Sequence, residues 1–461
     1  MNCDVLIIGG GPAGLFTAYS LANSGLKVVV LEKGKDLQNR VCPAIKNNQK
    51  CLHCSDCSIM TGLGGCSPLS DGKVPITNDY GGELWKKIGK EKSLFLQNKA
   101  DEITKRFFEE GIETEYPKLY SSANSKYKAE CLKYGLNLLN ANIRHLGSDN
   151  GPIIYKYLIN YLVNNGVKIY TNSNVVKIIK MIDGYQIKRL NNAEVISAKY
   201  VVIATGRSGS SWTKSICKEL NIPTLSNKVD IGIRFECPNE IWKEITDELY
   251  ESKIVYRTKT YNDLVRTFCM NPSGEVVSEN TNGLITVNGH SFEDMCKKTS
   301  NTNFALLVSK TFTEPFNNSN EYGESIIKLS NMLGGGVIVQ RFGDLIRGRR
   351  STNDKIKENT VIPTLKAEAG DLSLVLPKRI LDDIIEMIYQ LNNIAPGTAN
   401  DDNLLYGVEC KFYDNVIETD NNFEAENYPN LFFAGDCSGI THCISQASAN
   451  GLAIGEIILN R

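Results

Sequence analysis

The sequence predicts an α/β protein whose main domain is assembled from separated stretches of the chain. Three observations predict it. The first 35 residues read strand, glycine-rich turn, helix, strand. Two further apolar strands, near residues 200 and 431, each run into a turn of small residues. Between them, residues 225–425 carry short alternating strands broken by turn residues, the pattern of an antiparallel domain inserted into the first.

In the N-terminal unit, Val5–Ile8 is a continuous apolar run, as a strand buried on both faces requires. Gly9, Gly11 and Gly14 follow as G-x-G-x-x-G, and Leu15, Ala18, Leu21 and Ala22 then recur at helical spacing. Lys27–Leu31 is the second strand and Glu32 closes it. Gly9 permits the tight turn, Gly11 lets a pyrophosphate approach the backbone, and Gly14 lets helix and strand pack closely. The helix N-terminus offers free N–H groups and a partial positive charge to phosphates. Glu32 lies 18 residues after Gly14, placed for a ribose 2′-OH, and an acid there argues against a 2′-phosphate. The segment is a Rossmann-type dinucleotide-binding unit.

Tyr200–Gly209 (YVVIATGRSG) is an apolar strand ending in Ala204-Thr205-Gly206. Asn430–Leu459 is a short strand, Gly435-Asp436, then a helix rich in glycine and alanine. These stretches resemble the A-T-G and G-D motifs of the glutathione-reductase-like FAD-binding flavoproteins. The resemblance implies that Asp436 binds the ribityl chain and that the last helix points its N-terminus at the flavin ring. It makes the fold a discontinuous Rossmann-type FAD-binding domain with an inserted antiparallel α+β substrate domain and a helical insertion. The candidate FAD-binding residues are Gly9, Gly11, Pro12, Ala13, Gly14, Glu32, Lys33, Arg40, Gly64, Gly65, Ala204, Thr205, Gly206, Gly435, Asp436, Gly439 and Ile440.

The only other glycine cluster, Gly334-Gly335-Gly336, has no buried strand before it and no acid-terminated strand after it, so it reads as a loop. One dinucleotide, FAD, is expected. Its electrons come from a transiently docked NAD(P)H, a protein donor such as ferredoxin, or the substrate. The expected layout assigns 1–79, 141–224 and 426–461 to the FAD domain, 80–140 to the helical insertion and 225–425 to the substrate domain.

Residues 42–57 (CPAIKNNQKCLHCSDC) place Cys42, Cys51, Cys54 and Cys57 as C-P-x7-C-x2-C-x2-C. An x2 spacing lets thiolates of one tight loop face one centre, and this density suits a 4Fe–4S cluster or a four-thiolate zinc. The ferredoxin-type run favours iron. A disulfide and non-ligating thiols are the remaining readings. His53 reads as outside the ligand set. Cys66 is a spare: a fifth ligand, a thiol near the flavin, or a small core residue. An Fe–S centre here would pass single electrons to a flavin beside it.

Several stretches together look like the uncharacterised FAD-dependent dehydrogenase family of bacteria and plastids: RVCP with its following cysteines, GLGG…SDGK, HLGSDN, ATGRSG, DIGIRFE, VRTFCMNPSGEVV and VNGHS. The family's G-G-A-G before SDGK stands here as Gly64-Gly65-Cys66-Ser67, and its G-E/D-G-A-G-Y as Gly435 to Ile440 (GDCSGI). The resemblance implies a flavoprotein oxidoreductase and supplies no substrate.

Composition limits the partners. The chain has 461 residues, 42% of them hydrophobic, with a net charge of −1, so no global field favours nucleic acid or an anionic membrane. Arg347, Arg349 and Arg350 form the best local basic stretch, read as a solvated loop. No apolar run approaches a membrane span and no secretory signal is expected, which reads as cytoplasmic. The candidate catalytic residues are His442, Lys73, Asp71 and Arg266, with Arg234, Cys269, His290 and Arg341 as further polar candidates. The leading reading is an FAD-dependent reductase or dehydrogenase of a small organic molecule. The alternatives are a thiol/disulfide flavoenzyme using the clustered cysteines and a flavoprotein acting on RNA or another macromolecule.

Overall fold

The computed structural model describes residues 1–47, 52, 54, 56–190, 192–281, 283–292 and 294–461. In chain order, the elements used below begin with β1 (Asn2–Ile8), α1 (Pro12–Leu21), β2 (Val28–Leu31), α2 (Lys90–Gly111) and α3 (Gly151–Asn164). They continue with β3 (Lys168–Tyr170), β4 (Val175–Met181), β5 (Gly184–Arg189), β6 (Asn192–Ile203) and α4 (Ser210–Glu219). Then come β7 (Val229–Pro238), β8 (Ile254–Arg257), β9 (Leu264–Asn271), β10 (Asn301–Lys310), α5 (Ser319–Gly334) and β11 (Ile338–Arg341). The chain closes with α6 (Lys378–Leu391), β12 (Leu404–Phe412), β13 (Leu431–Phe433) and α7 (Ile444–Leu459).

The chain forms two compact units. One comprises Met1–Lys118, Arg144–Asn227 and Tyr413–Arg461; the other comprises Leu119–Ile143 and Lys228–Phe412.

The first unit is built on a seven-stranded sheet ordered β3-β2-β1-β6-β5-β4, with β13 also paired to β6. Strands β3, β2, β1, β6 and β13 are mutually parallel, and β5 runs antiparallel to both β6 and β4. Strand alternation sends Val5, Ile7, Val28, Val30, Val202 and Phe432 to one face, where α1, α2, α3 and α7 pack. Leu6, Ile8, Val29, Leu31, Ile203 and Phe433 go to the other, against α4 and the β4–β5 hairpin. Both faces are covered, which is why these strands read as unbroken apolar runs.

The glycine and alanine content of α7 has a packing cause. A Cβ on Gly451 would lie 2.2 Å from the Ala13 carbonyl oxygen, and one on Gly455 would lie 2.3 Å from Ser20 Cβ. Helices α1 and α7 therefore meet at backbone distance. Helix α2 also belongs to this unit. Its stripe Leu96, Ala100, Ile103 and Phe107 is buried in the same core, and Phe107 meets Tyr19 of α1 and Tyr161 of α3 at ring distances of 6.1 and 5.6 Å. Of the stretch expected as a helical insertion, 80–118 falls in the first unit and 119–140 in the second. The charged residues that suggested an independent insertion are only the outer face of an amphipathic helix.

The second unit is an eight-stranded sheet ordered Glu368–Ala369, β11, β12, β7, β10, β9, β8, Leu136–Leu138. Ile231, Ile233, Phe235, Leu306, Val308 and Val265 point into a core closed by α6. The intervening positions, among them Asp230, Arg234, Glu236, Arg266 and Phe268, occupy the opposite face. Gly334 ends α5 and Gly335 caps it in the left-handed region at φ 62°, so this glycine cluster terminates a helix rather than opening one.

Candidate active site: a nucleotide cradle at the strand ends

Four neighbouring parallel strands end at one edge of the first sheet. β2 delivers Glu32, β1 delivers Gly9, β6 delivers Ala204 and β13 delivers Gly435. Backbone bonds lock the exits together: Gly9 N donates to Leu31 O at 2.8 Å, Ala204 N to Ile8 O at 2.7 Å and Ala434 N to Ile203 O at 2.8 Å. The carboxyl ends of a parallel sheet, where the chain turns away, are where open α/β folds bind ligands.

Gly9 adopts φ 110°, and a Cβ there would lie 2.3 Å from the Ala204 oxygen. A Cβ on Gly14 would lie 2.1 Å from Gly9 O, while one on Gly11 would have only Gly65 Cα within 4 Å, at 3.8 Å. The first and third glycines are thus required by packing, and the second leaves room above the turn. Helix α1 begins with Pro12 and has no side-chain cap, so its first N–H groups face that room. Ala13 lies on the helix side, its oxygen against Gly451.

Glu32 is buried, its two carboxylate oxygens accepting from Gly10 N and Gly34 N at 2.8 Å each. Gly64 N donates to Gly10 O at 2.7 Å, which lays the 62–65 loop along the glycine turn. Gly65, at φ 63°, would bring a Cβ to 3.1 Å from Gly11 Cα.

Arg40 serves that loop. Its guanidinium is buried and donates to the carbonyls of Ser58, Ile59 and Leu63 at 3.0, 2.6 and 2.9 Å. Burial lowers its pKa, opposed by Cys66, Glu32 and Cys57. The fork holds backbone rather than facing the cradle, so Arg40 acts as a positioning residue. Lys33 pairs with Asp56 at 3.0 Å.

On the far side, Thr205 shares a hydrogen bond with Thr213 at 2.9 Å. Gly206 has φ 59° and open space where a Cβ would point. Arg207 Nε lies 3.7 Å from Asp436, and Thr441 donates to the other oxygen of Asp436 at 3.4 Å. Gly439, at φ 74°, packs its Cα against Asn415 O, 2.4 Å from a built Cβ. Asp414 was not a sequence candidate. It is buried beside Asp436, its Oδ2 has no hydrogen-bond partner among the described residues, and burial pushes its pKa up to about 6, opposed by a hydrogen bond with Ser210 and reinforced by Asp436. No motif marks it; the pairing of 224–225 with 416–417 brings it in.

Helix α7 starts beside these turns with no side-chain cap at Cys443. His442 N donates to Gly81 O at 2.9 Å, and its ring stands edge-on to Tyr413 at 4.5 Å. Ile440 O accepts from Glu83 N at 2.7 Å. Gln446, fully buried, donates to the carbonyls of Thr77 and Tyr80 at 3.1 and 3.0 Å and fastens the 77–84 segment to the helix. Asp71 and Lys73 form an ion pair at 3.1 Å, both largely buried.

Further sequence candidates belong to the second unit. Arg266 is in the second unit, bound to Asp230. Arg234 is fully buried between Asn303 at 2.9 Å and Glu409 at 3.2 Å, which makes it structural. Arg341 is bound to Asp402 and, at 2.8 Å, to Asn359, and His290 pairs with Glu275 in a hairpin. Cys51 and His53 lie outside the described residues. Cys42 and Cys57 are half-buried and Cys54 is exposed, and among the described residues no group of three or more His, Cys, Asp or Glu is placed to hold a metal ion. The four-thiolate centre expected from the spacing includes Cys51 and so lies partly outside the described residues. All described cysteines are free thiols.

Among the described residues no helix is long and apolar enough to cross a membrane. Residues 4–119 match the family model for FAD dependent oxidoreductases, and residues 231–412 match that for the C-terminal domain-like region of FAD-dependent proteins. An uncharacterised protein of Clostridium beijerinckii is 25% identical over 99% of this chain and 80% of its own. Among solved structures, glycine oxidase from Geobacillus kaustophilus aligns at 11% identity with TM-score 0.43, covering 100% of this chain and 95% of that one. L-α-glycerophosphate oxidase from Mycoplasma pneumoniae aligns at 12% identity with TM-score 0.41 over 100% and 95%. The family match begins at the first strand and runs through the glycine turn, Glu32 and the 62–65 loop, the β1–β2 side of the cradle: this chain is an FAD-dependent oxidoreductase.

Proposed function

We propose that the chain oxidises or reduces a small organic molecule at an FAD held in this cradle. The observation that carries the reading is the delivery of Glu32, the Gly9–Gly14 turn, Ala204–Gly206 and Gly435–Asp436 to one edge by adjacent parallel strands. When bound, FAD supplies two-electron chemistry as a hydride acceptor or donor. The uncapped N–H groups of α1 take the pyrophosphate. Glu32 accepts from the adenosine ribose while still holding Gly10 and Gly34, and Asp436 accepts from the ribityl hydroxyls. His442, in the turn before α7, carries the proton at an imidazole nitrogen, and the buried pair Asp71–Lys73 holds the preceding loop.

The electron donor docks transiently. Gly334-Gly335-Gly336 terminates a helix, so this stretch offers NAD(P)H no pyrophosphate turn. Acid release and chromatography of the bound cofactor test the first part; protein that neither carries nor takes up FAD sinks it. Anaerobic reduction with NADH, NADPH and reduced ferredoxin then identifies the donor.

A second reading keeps an iron–sulfur port at Cys42, Cys51, Cys54 and Cys57, supported by their C-x2-C-x2-C spacing. With the described thiols not gathered, no step is assigned to it. Iron and acid-labile sulfide in anaerobically purified protein test it, and C54S is the control. Absence of both rules it out.

A further inference from the structure

In the first unit, helices α1, α2, α3 and the start of α7 close around a cavity of about 30 Å³. Phe16, Val74, Leu146, Ile154, Leu158 and Ile444 give it an apolar wall. Hydroxyls at its edge are engaged with protein groups: Thr104 donates to Ala100 O at 2.8 Å, Ser445 donates to Pro75 O, and Tyr155 and Ser67 hydrogen-bond to each other. The space would admit a water, but a buried water needs several polar partners, and engaged hydroxyls do not supply them. The cavity is therefore dry.

Its walls are held apart. A Cβ on Gly151, at the start of α3, would lie 2.5 Å from Pro68 O, so α3 already meets the 67–69 turn at backbone distance. Gly72, at φ 67°, packs against Gly147 O, 3.0 Å from a built Cβ. Phe107 stacks against Tyr19 and Tyr161, and Tyr155 is tied to Ser67. Protein interiors keep few voids, and this one persists because the side chains that could swing into it are held by other contacts. Two lining residues are half-buried: Thr104 in α2, and Ile444, the first residue of α7; the others are buried. The cavity thus approaches the surface at α2 and the cradle two residues beyond His442.

We infer that this cavity is a binding site for dioxygen, serving a flavin at the start of α7. The flavin rests on the reading proposed above; the cavity supplies the rest. A dry apolar space takes an apolar occupant. Benzene occupies a cavity of about 150 Å³, so this one admits only a molecule of a few atoms. Flavins exchange electrons with dioxygen, which is apolar and diatomic. In the step, reduced FAD gives two electrons and two protons to one dioxygen molecule. Oxidised FAD and one hydrogen peroxide result, and no other co-reactant is needed.

Methyl-labelled protein, with and without FAD, is equilibrated under dioxygen and under nitrogen at equal pressure, and methyl relaxation is measured by NMR. Dioxygen is paramagnetic, so the Ile154 and Leu158 methyls should relax severalfold faster under it than those of Ile233 and Val308, which are buried in the second unit. Ala100→Leu fills the space from α2. It should abolish that excess, leave FAD content unchanged and slow the reoxidation of reduced flavin by dioxygen in stopped flow. If leucine prevents folding, Ala100→Val carries the same test. No excess relaxation at Ile154 and Leu158, or a water cross-peak to their methyls, overturns the site and leaves the flavin reading standing. Excess relaxation with reoxidation unchanged in A100L overturns its service to the flavin. Excess relaxation in protein that takes up no FAD supports the gas site and sinks the flavin reading instead.

Discussion

The amide of Gly10, in the middle of the glycine turn, donates to the Glu32 carboxylate at 2.8 Å. The acid that closes β2 therefore also shapes the turn after β1, in addition to the ribose contact its position suggests. Its other oxygen accepts from Gly34 at 2.8 Å. Glu32→Ala leaves both buried donors unsatisfied. Hydrogen bonds to a charged acceptor contribute about 1.5–3 kcal/mol each, so the apo variant should lose roughly 3 kcal/mol in urea unfolding and retain little FAD. Glu32→Gln should fall between. An apo stability equal to wild type would confine Glu32 to the cofactor.

The contact between α1 and α7 sets where the α1 N-terminus sits. Adding one methyl at Gly451 forces it against Ala13 O, 2.2 Å away. Overpacking of this kind costs about 1–3 kcal/mol. Gly451→Ala should therefore lower the melting temperature and also weaken FAD binding, because Ala13 belongs to the first turn of α1. Melting curves with and without added FAD check both effects. A variant with normal FAD affinity would show that α1 absorbs the shift elsewhere.

What the sequence made legible follows from how local its causes are. The glycine turn, the buried strands and the acid after β2 are each dictated by neighbours within a few residues, and the structure keeps them in the expected places. Ala204–Gly206 and Gly435–Asp436 were readable because each follows an apolar strand. Arg40 was not: nothing local shows that its fork reaches carbonyls at 58, 59 and 63. Asp414 had no signal at all, since long-range pairing alone sets it beside Asp436. In the charge-rich 80–118 stretch, surface charge masks the buried stripe Leu96, Ala100, Ile103 and Phe107. In the cysteine segment, spacing describes ligands without placing them.

Asp414 gives the first unit a pH dependence. Burial and Asp436 raise its pKa from 3.8 to about 6. Below pH 3.8 it is protonated folded and unfolded alike, and no penalty exists. As pH rises to about 6, the unfolded chain ionises first, so stability falls; above 6 the loss is constant. Asp414→Asn, neutral throughout, should be more stable than wild type by about 2–3 kcal/mol at pH 7.5, with the gap closing near pH 4. Unfolding curves across that range check it, and a gap independent of pH would sink the assignment.

Arg40 predicts how the cysteine segment is anchored. Its guanidinium meets the carbonyls of Ser58, Ile59 and Leu63, all downstream of the last clustered cysteine, and a Cβ on Gly62 would press on its side chain at 2.7 Å. Three diverging carbonyls suit a planar fork and not a single ammonium, so Arg40→Lys should behave almost as poorly as Arg40→Met. Both should speed limited proteolysis between residues 42 and 62 by tenfold or more and loosen FAD, because Gly64 and Gly65 lie against the glycine turn. If lysine restores wild-type protease resistance, charge rather than geometry holds the loop.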